Sequence, residues 1–143
     1  MKICQLCAVD FTMRKFLLPL IDGQVANGDT VIGVCSDGEY VQGMRDEGYH
    51  IHTIPISRSM HPIKHICSIW KLYRYFRKEK FDVVHVHTPV AALVGRTAAF
   101  FARVPFVVYT AHGFYFHDDM KQTKRRFHIF LEKFAGKITD LMF

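Results

Sequence analysis

The 143-residue sequence has few glycines and prolines, nine and five respectively, and it contains no internal repeat and no low-complexity segment. Half of its residues are hydrophobic, a composition that excludes general disorder. A chain of this length is typical of one compact domain, which buries roughly two thirds of the surface that its unfolded chain exposes.

The sequence also lacks a signal peptide and a membrane-spanning run. Asp10 interrupts an N-terminal apolar stretch that is already short, and no small-residue cleavage site follows it. The most apolar later window, residues 90–109, contains Arg96, Arg103 and Pro105, which are unfavourable in a membrane-spanning helix. We therefore expect the protein not to cross a membrane.

The four cysteines follow neither a zinc spacing nor a thioredoxin spacing. Cys4 and Cys7 lie in one apolar run, in which strand alternation places them on opposite faces of a sheet. We predict that Cys4, Cys7, Cys35 and Cys67 are buried, reduced thiols of a cytosolic protein.

Apolar runs of strand length alternate with helical patterns along the chain. Strands are predicted at residues 2–9, 30–35, 50–56, 83–87, 105–110 and 138–143, and helices at 12–26, 39–47, 62–80, 89–102 and 118–135. The alternation is typical of βαβ units and predicts an α/β fold, a Rossmann-like doubly wound parallel sheet. Such sheets bind their ligands outside the carboxyl ends of the strands.

Four of the nine histidines lie between residues 82 and 117, around two predicted strand ends. His85 and His87 are two residues apart on a strand and so point to the same face. His87 and Thr88 end the fourth strand, and His112 follows the fifth. A histidine at such a position can act as a metal ligand, a general base or a neutral hydrogen-bond donor.

Several kinds of site are missing from the sequence. No regular ligand motif accompanies His85 and His87, so no metal site is predicted. There is no Gly-x-Ser-x-Gly nucleophile elbow, and the first strand is not followed by a Gly-x-Gly-x-x-Gly fingerprint. The paired acids and phosphoacceptor aspartate of a receiver domain are also missing. We predict no cofactor.

Three segments together resemble a known family: His-Val-His-Thr-Pro at residues 85–89, Gly95-Arg96, and Val-Pro-Phe-Val-Val-Tyr-Thr-Ala-His-Gly-Phe-Tyr-Phe-His at residues 104–117. They are similar to the N-terminal half of the retaining family-four glycosyltransferases that build bacterial capsule, exopolysaccharide and lipopolysaccharide. The start of the chain, from Val9-Asp-Phe-Thr to Phe-Leu-Leu-Pro-Leu20, is similar to the subgroup that acts on lipid-linked sugars.

The resemblance covers essentially the whole chain and implies a two-domain GT-B architecture. Residues 1–143 would form the Rossmann-like acceptor-side domain, truncated near its sixth strand, and the C-terminal domain that grips the nucleotide sugar would be absent. We therefore expect the chain alone to be inactive and to self-associate through surface that the second domain normally covers.

Position by position, the resemblance implies that His112 is the catalytic histidine, which reaches the donor sugar from the N-terminal side of the cleft. Gly113 would leave room for the sugar beside the backbone, and the loop with Asp10 and Thr12 would border the acceptor and the donor phosphate. The other predicted substrate-binding residues stand at the ends of the fourth and fifth strands: His87, Thr88, Phe114 and His117.

For some of these residues the sequence leaves a structural role open. His87 and His117 could satisfy backbone groups at the rim of the sheet, and Phe114 could belong to the core instead of an acceptor groove. His85 is predicted to be a structural residue of the sheet.

The formal net charge of +6 is concentrated on the third and last long helices, where basic residues alternate with aromatic ones. This combination predicts association with an anionic bilayer surface, and a solvated helix face is the alternative. No nucleic-acid motif is present, so nucleic acid is not a predicted partner. The predicted location is cytoplasmic and peripheral, at the inner face of the cell membrane.

The predicted function is transfer of a sugar from a nucleotide diphosphate sugar to a lipid-linked acceptor in bacterial surface polysaccharide synthesis. The resemblance implies a front-face retaining reaction in which no protein nucleophile is needed, so that positioning and electrostatics carry catalysis. The alternative is a non-catalytic α/β binding module at the membrane surface.

Overall fold

The computed structural model describes residues 1–59, 61–112 and 118–143. Its strands are β1 (Lys2–Leu6), β2 (Thr30–Cys35), β3 (Ile51–Thr53), β4 (Val83–His87), β5 (Phe106–Thr110) and β6 (Leu141–Met142). Its helices are α1 (Asp10–Thr12), α2 (Leu18–Ala26), α3 (Glu39–Asp46), α4 (Pro62–Glu79), α5 (Pro89–Ala102) and α6 (Gln122–Gly136), and a π-helical segment (Met13–Leu17) joins α1 to α2.

The six strands form one parallel sheet in the order β3-β2-β1-β4-β5-β6. This is the order of a doubly wound fold, and it confirms the predicted fold class. The chain reverses its direction of winding between β1 and β4, the two central strands. At such a point the loops after the two strands separate and leave a crevice for ligands.

The two faces of the sheet bury separate hydrophobic layers, and the alternation of β1 shows why. Ile3 and Cys7 face one side and pack with residues of α2 and α3. Cys4 and Leu6 face the other side and pack with residues of α4 and α5. Because a strand alternates its side chains, the apolar run of β1 serves both layers.

Helix α5 lies unusually close to the sheet because of Gly95. A β-carbon at this position would lie 2.8 Å from the Val86 Cγ1 atom and would overlap the Leu6 side chain. The missing side chain lets the helix backbone pack directly on β1 and β4. The N-terminus of α5 is therefore fixed at the crevice.

Helix α4 is the longest described helix, with 18 residues. Ile63, Ile66 and Trp70 recur on its outer face, where each is more than half exposed. In the part of the chain that the structure describes, each helix is too short or too polar to cross a lipid bilayer.

Several predicted boundaries were wrong. β1 ends at Leu6 instead of residue 9. β3 ends at Thr53 instead of residue 56, because Pro55 has no N–H group for further pairing. α6 begins at Gln122 instead of residue 118, since the backbone of Lys121 is extended, with ψ at 132°. β6 begins late because the Ile138 and Thr139 amides still donate to carbonyls at the end of α6.

The prediction of four buried thiols was wrong for one residue. Cys4, Cys7 and Cys35 are buried and free, whereas Cys67 is free and exposed. Cys67 lies on the outer face of α4, which the sheet does not cover.

Candidate functional site

An open cleft of about 560 Å³ lies at the crevice between β1 and β4. Two predicted substrate-binding residues, Thr12 and Thr88, share this cleft, and Arg58 adds a basic side chain to its lining. The remaining lining comes from the loop after β1 and the start of α5: Ala8, Val9, Phe11, Pro89 and Val90.

Thr88 has a strained backbone at the end of β4. Its φ is +65° and its ψ is 141°, a conformation that β-branched residues rarely adopt. The following Pro89 disfavours the right-handed helical region for Thr88, but it does not account for the positive φ. Strain of this kind costs about 1–3 kcal/mol and concentrates at functional sites.

The Thr88 hydroxyl is available to a ligand. Its Oγ1 atom is buried and has no hydrogen-bond partner among the described residues. An unsatisfied buried hydroxyl costs about 1–3 kcal/mol. Since Thr88 lines the cleft, a ligand in the cleft could supply the missing partner.

Asp10 is outside this lining and serves the fold. Its Oδ1 atom accepts from the Phe11 amide, and its Oδ2 atom accepts from the Tyr40 amide in the first turn of α3, both at 2.9 Å. A β-carbon at Gly38 would overlap the Asp10 carboxylate, so the glycine makes this contact possible. Asp10 thus ties the loop after β1 to α3, and its role toward substrate stays a prediction.

A hydrogen-bonded row of side chains runs from α2 across the sheet to the surface. The Gln5 Nε2 atom donates to the Gln24 Oε1 atom at 2.9 Å, and the Gln5 Oε1 atom lies 2.8 Å from the His87 Nε2 atom. The His87 Nδ1 atom lies 3.2 Å from the Nε2 atom of His112, an exposed residue. We call Gln24, Gln5, His87 and His112 the imidazole row.

Burial keeps the two β4 histidines neutral. Burial, with smaller contributions from His85 and His112, lowers the pKa of His87 to about 3. Burial, and then His112, lowers the pKa of His85 to about 4. The two rings lie on one face of β4 with centroids 4.1 Å apart, as their spacing predicted, and the His85 Nε2 atom is 2.7 Å from the Thr110 Oγ1 atom.

The predicted site residues therefore fall into groups. Thr12 and Thr88 lie in the cleft, and His87 and His112 lie in the imidazole row, which meets the cleft where His87 precedes Thr88. Gly113, Phe114 and His117 are outside the described residues. Within residues 1–59, 61–112 and 118–143, no three His, Cys, Asp or Glu side chains are arranged to hold a metal ion.

Sequence reasoning did not predict Gln5, Gln24 or Arg58 as site residues. Gln5 is fully buried in a central strand, in contact with His87. One signal could have found it. A single amide side chain in the apolar run at residues 3–9 must find a buried partner.

The sequence profile described as Glycosyltransferase Family 4 matches residues 13–142. The chain belongs to glycosyltransferase family 4. This match confirms the resemblance noted in the sequence.

Two curated relatives support the family 4 assignment. The Escherichia coli protein named UDP-Gal:alpha-D-GlcNAc-diphosphoundecaprenol alpha-1,3-galactosyltransferase is 34% identical over 107 residues, which cover 74% of this chain and 28% of that protein. The capsular polysaccharide biosynthesis glycosyltransferase CapM of Staphylococcus aureus is 35% identical over 101 residues, which cover 67% of this chain and 26% of CapM. The family 4 chain thus spans roughly a quarter of the length of these two relatives.

Solved structures show the same fold. The Anabaena protein HepE, crystallised with UDP and glucose, matches 99% of the family 4 chain with a TM-score of 0.69 and 21% identity, and the match covers 37% of HepE. The described fold is therefore that of the N-terminal half of a GT-B enzyme, as the resemblance implied.

Proposed function

We propose that this chain is the acceptor-side half of an enzyme that moves a sugar from a nucleotide diphosphate sugar to a lipid-linked acceptor in bacterial surface polysaccharide synthesis. The family 4 match over residues 13–142 carries the proposal. The E. coli relative is named for a diphosphoundecaprenol acceptor, which supports a lipid-linked substrate here. The non-catalytic alternative has no comparable support.

The cleft suits the acceptor. Arg58 offers a positive charge for a diphosphate group, and the unpartnered Thr88 hydroxyl and the half-buried Thr12 offer hydrogen bonds. We assign the donor sugar to His112 at the outer end of the imidazole row. The remaining proposed substrate contacts are Asp10, Gly113, Phe114 and His117. His87 is buried with both ring nitrogens engaged, so it would act on substrate through His112.

Cysteine chemistry does not compete with this proposal. Cys35, the thiol at the end of β2, is buried, and burial raises its pKa to about 12. Burial likewise raises the pKa of the Cys4 and Cys7 thiols. A buried thiol of this kind is protonated at pH 7 and is a poor nucleophile, which agrees with a reaction carried by positioning and electrostatics.

A chimera tests the function. We expect no transfer by residues 1–143 alone, because the match covers only 28% of the E. coli relative's length. We expect transfer when these residues replace the matching N-terminal segment of the E. coli relative. The assay measures radiolabelled galactose moved from UDP-galactose to GlcNAc-diphosphoundecaprenol.

Two results would contradict the two-domain proposal. One is turnover by residues 1–143 alone, and the other is micromolar affinity of this chain for UDP in calorimetry. Sedimentation of the same sample measures self-association. The proposed contact is the exposed edge of the sheet formed by Leu141, Met142 and Phe143.

The outer faces of α4 and α5 support a membrane-bound location. Ile66, Trp70 and Phe101 are 59–65% exposed and line an apolar groove of about 420 Å³ between the two helices. Soluble monomers rarely expose large contiguous apolar patches, and such patches mark sites of interaction with proteins or membranes. We call this surface the α4–α5 apolar groove.

Basic side chains lie on a second face of α4, towards the loop after β3, where they line two further clefts that include Pro55. Lys64, Lys71, Arg74 and Lys78 are exposed on α4 and follow one another at helical spacing. A basic stripe next to an apolar one is the pattern of helices that lie on anionic bilayers. We propose that the outer surface of α4 and α5 binds an anionic membrane, at its cytoplasmic face, where a lipid-linked acceptor would be presented to the cleft.

Vesicle co-sedimentation measures this association. We expect phosphatidylglycerol vesicles to retain the chain at low salt and to release it at high salt, because salt screens exposed charges. The double variant Lys71→Gln with Arg74→Gln removes about 2 kcal/mol of attraction, which weakens binding roughly 30-fold.

Lys15→Gln is the matched control for this measurement. Lys15 is exposed on the π-helical segment, away from α4 and α5, and its replacement should leave binding unchanged. Equal binding to neutral vesicles at all salt concentrations would contradict the electrostatic part of the proposal.

A further inference from the structure

The orientation of the Gln5 amide determines where the protons of the imidazole row lie. The Gln5 Nε2 atom donates to the Gln24 Oε1 atom at 2.9 Å, so the Gln5 Oε1 atom is the one that faces His87. A carbonyl oxygen only accepts hydrogen bonds. The His87 Nε2 atom, 2.8 Å away, must therefore carry a proton and donate it to Gln5.

The next step follows from the neutrality of His87. Its ring is 2% exposed, and burial next to His85 and His112 disfavours the charged form. A neutral imidazole with a proton on Nε2 has a lone pair on Nδ1. That lone pair lies 3.2 Å from the His112 Nε2 atom, which must in turn be the protonated nitrogen of its ring.

We propose that Gln5 and His87 are positioning residues that hold the His112 ring with a proton on Nε2, so that in the uncharged ring the lone pair is on Nδ1. The opposite tautomer of His112 would place two lone pairs against each other at the 3.2 Å contact with His87. Leaving a buried acceptor without a donor is unfavourable, so the row selects one tautomer.

The selected tautomer determines which substrate group His112 can bind. A lone pair on Nδ1 accepts a hydrogen bond from a hydroxyl and cannot donate to a phosphate oxygen. This assignment rests on the proposed function: His112 would accept a hydrogen bond from a hydroxyl of the transferred sugar, and other groups would bind the diphosphate. Gln5 would then contribute to turnover without touching substrate.

Nuclear magnetic resonance tests the tautomer directly in the 143-residue chain. Long-range ¹H–¹⁵N correlation spectra of uniformly ¹⁵N-labelled protein at pH 7.5 distinguish a protonated ring nitrogen from one with a lone pair. We expect the His112 ring to show a protonated Nε2 and a lone pair on Nδ1. The reverse pattern in the parent protein would overturn the proposal.

Variants of Gln5 test the coupling, because Gln5 does not contact His112. Gln5→Leu removes the acceptor with an apolar side chain of similar size, and we expect His112 to show both tautomers. If Gln5→Leu fails to fold, Gln24→Met takes its place in this test. Gln24 is partly exposed, and its replacement removes the hydrogen bond that orients the Gln5 amide, so the preference of His112 for one tautomer should weaken. An unchanged His112 pattern in Gln5→Leu, or in Gln24→Met where that variant replaces it, would overturn the coupling.

Kinetics of the chimera separate this inference from the proposed function. Gln5→Leu should lower kcat and leave KM unchanged. If the chimera transfers no sugar but the spectra show the expected tautomer, the proposed function fails and the positioning role stands. If the chimera is active but His112 shows the reverse tautomer, the positioning role fails alone.

Discussion

Replacing His112 by alanine is expected to lower kcat of the chimera at least 100-fold while its thermal unfolding stays almost unchanged. Removing one preorganised polar group at a transition state typically costs a factor of about 100 to 1,000. His112 is exposed, and the one hydrogen bond that the described residues give it goes to His87, so the fold loses little. The measurements are steady-state transfer rates and a thermal melt monitored by circular dichroism.

His50→Ala is the matched control for this experiment. His50 is exposed just before β3, far along the sheet from β5, and its loss should alter neither kcat nor the melting temperature. A large fall in melting temperature with His112→Ala would assign His112 to the fold. A rise in KM with kcat unchanged would mean that it binds ground state and transition state equally.

Replacing Glu132 by leucine is expected to lower the free energy of unfolding by about 3–5 kcal/mol, because it leaves the buried charge of Arg96 without a partner. Arg96 is fully buried, and its Nη2 atom donates to the Glu132 Oε2 atom at 3.0 Å. The guanidinium also lies over the Tyr109 ring at 4.3 Å, and Nε donates to the Ala92 carbonyl. Its Nη1 atom has no hydrogen-bond partner among the described residues, so no second anion replaces the carboxylate.

Urea unfolding measures this loss against two references. Glu47→Leu removes the partner of Arg14 from an ion pair in which the side chains are 47% and 32% exposed, and it should leave the free energy of unfolding almost unchanged. Adding Arg96→Met to Glu132→Leu removes the stranded charge and should recover most of the stability. Equal losses for Glu132→Leu and Glu47→Leu would mean that Arg96 is solvated.

The fold could be predicted where the sequence signals are local. β4 and α5 have their predicted bounds, because Val83–His87 is a β-branched run and Pro89 occupies the first turn of a helix of small residues. β6 could not be bounded from its apolar residues alone. Its start depends on amides that still bond to the end of α6.

The site could be predicted only at the level of strand ends. Thr12 and Thr88 meet in one cleft because the carboxyl ends of parallel strands share an edge of the sheet. The contact between Gln5 and His87 joins residues 82 positions apart, and Asp10 caps a helix 30 positions away. Such pairings depend on strand order and register, which periodicity does not specify.

The strand order also governs how the chain can fold during its synthesis. β1 leaves the ribosome first, yet one of its two edges pairs with β4, and the Lys2 amide donates to Asp82, 80 residues later. At roughly 5–20 residues per second, translation delays that contact by about 4–16 seconds. During this time β1 has an unpaired apolar edge of the kind that aggregates or recruits chaperones. We therefore expect the nascent chain to remain dependent on chaperones until Val83–His87 has emerged.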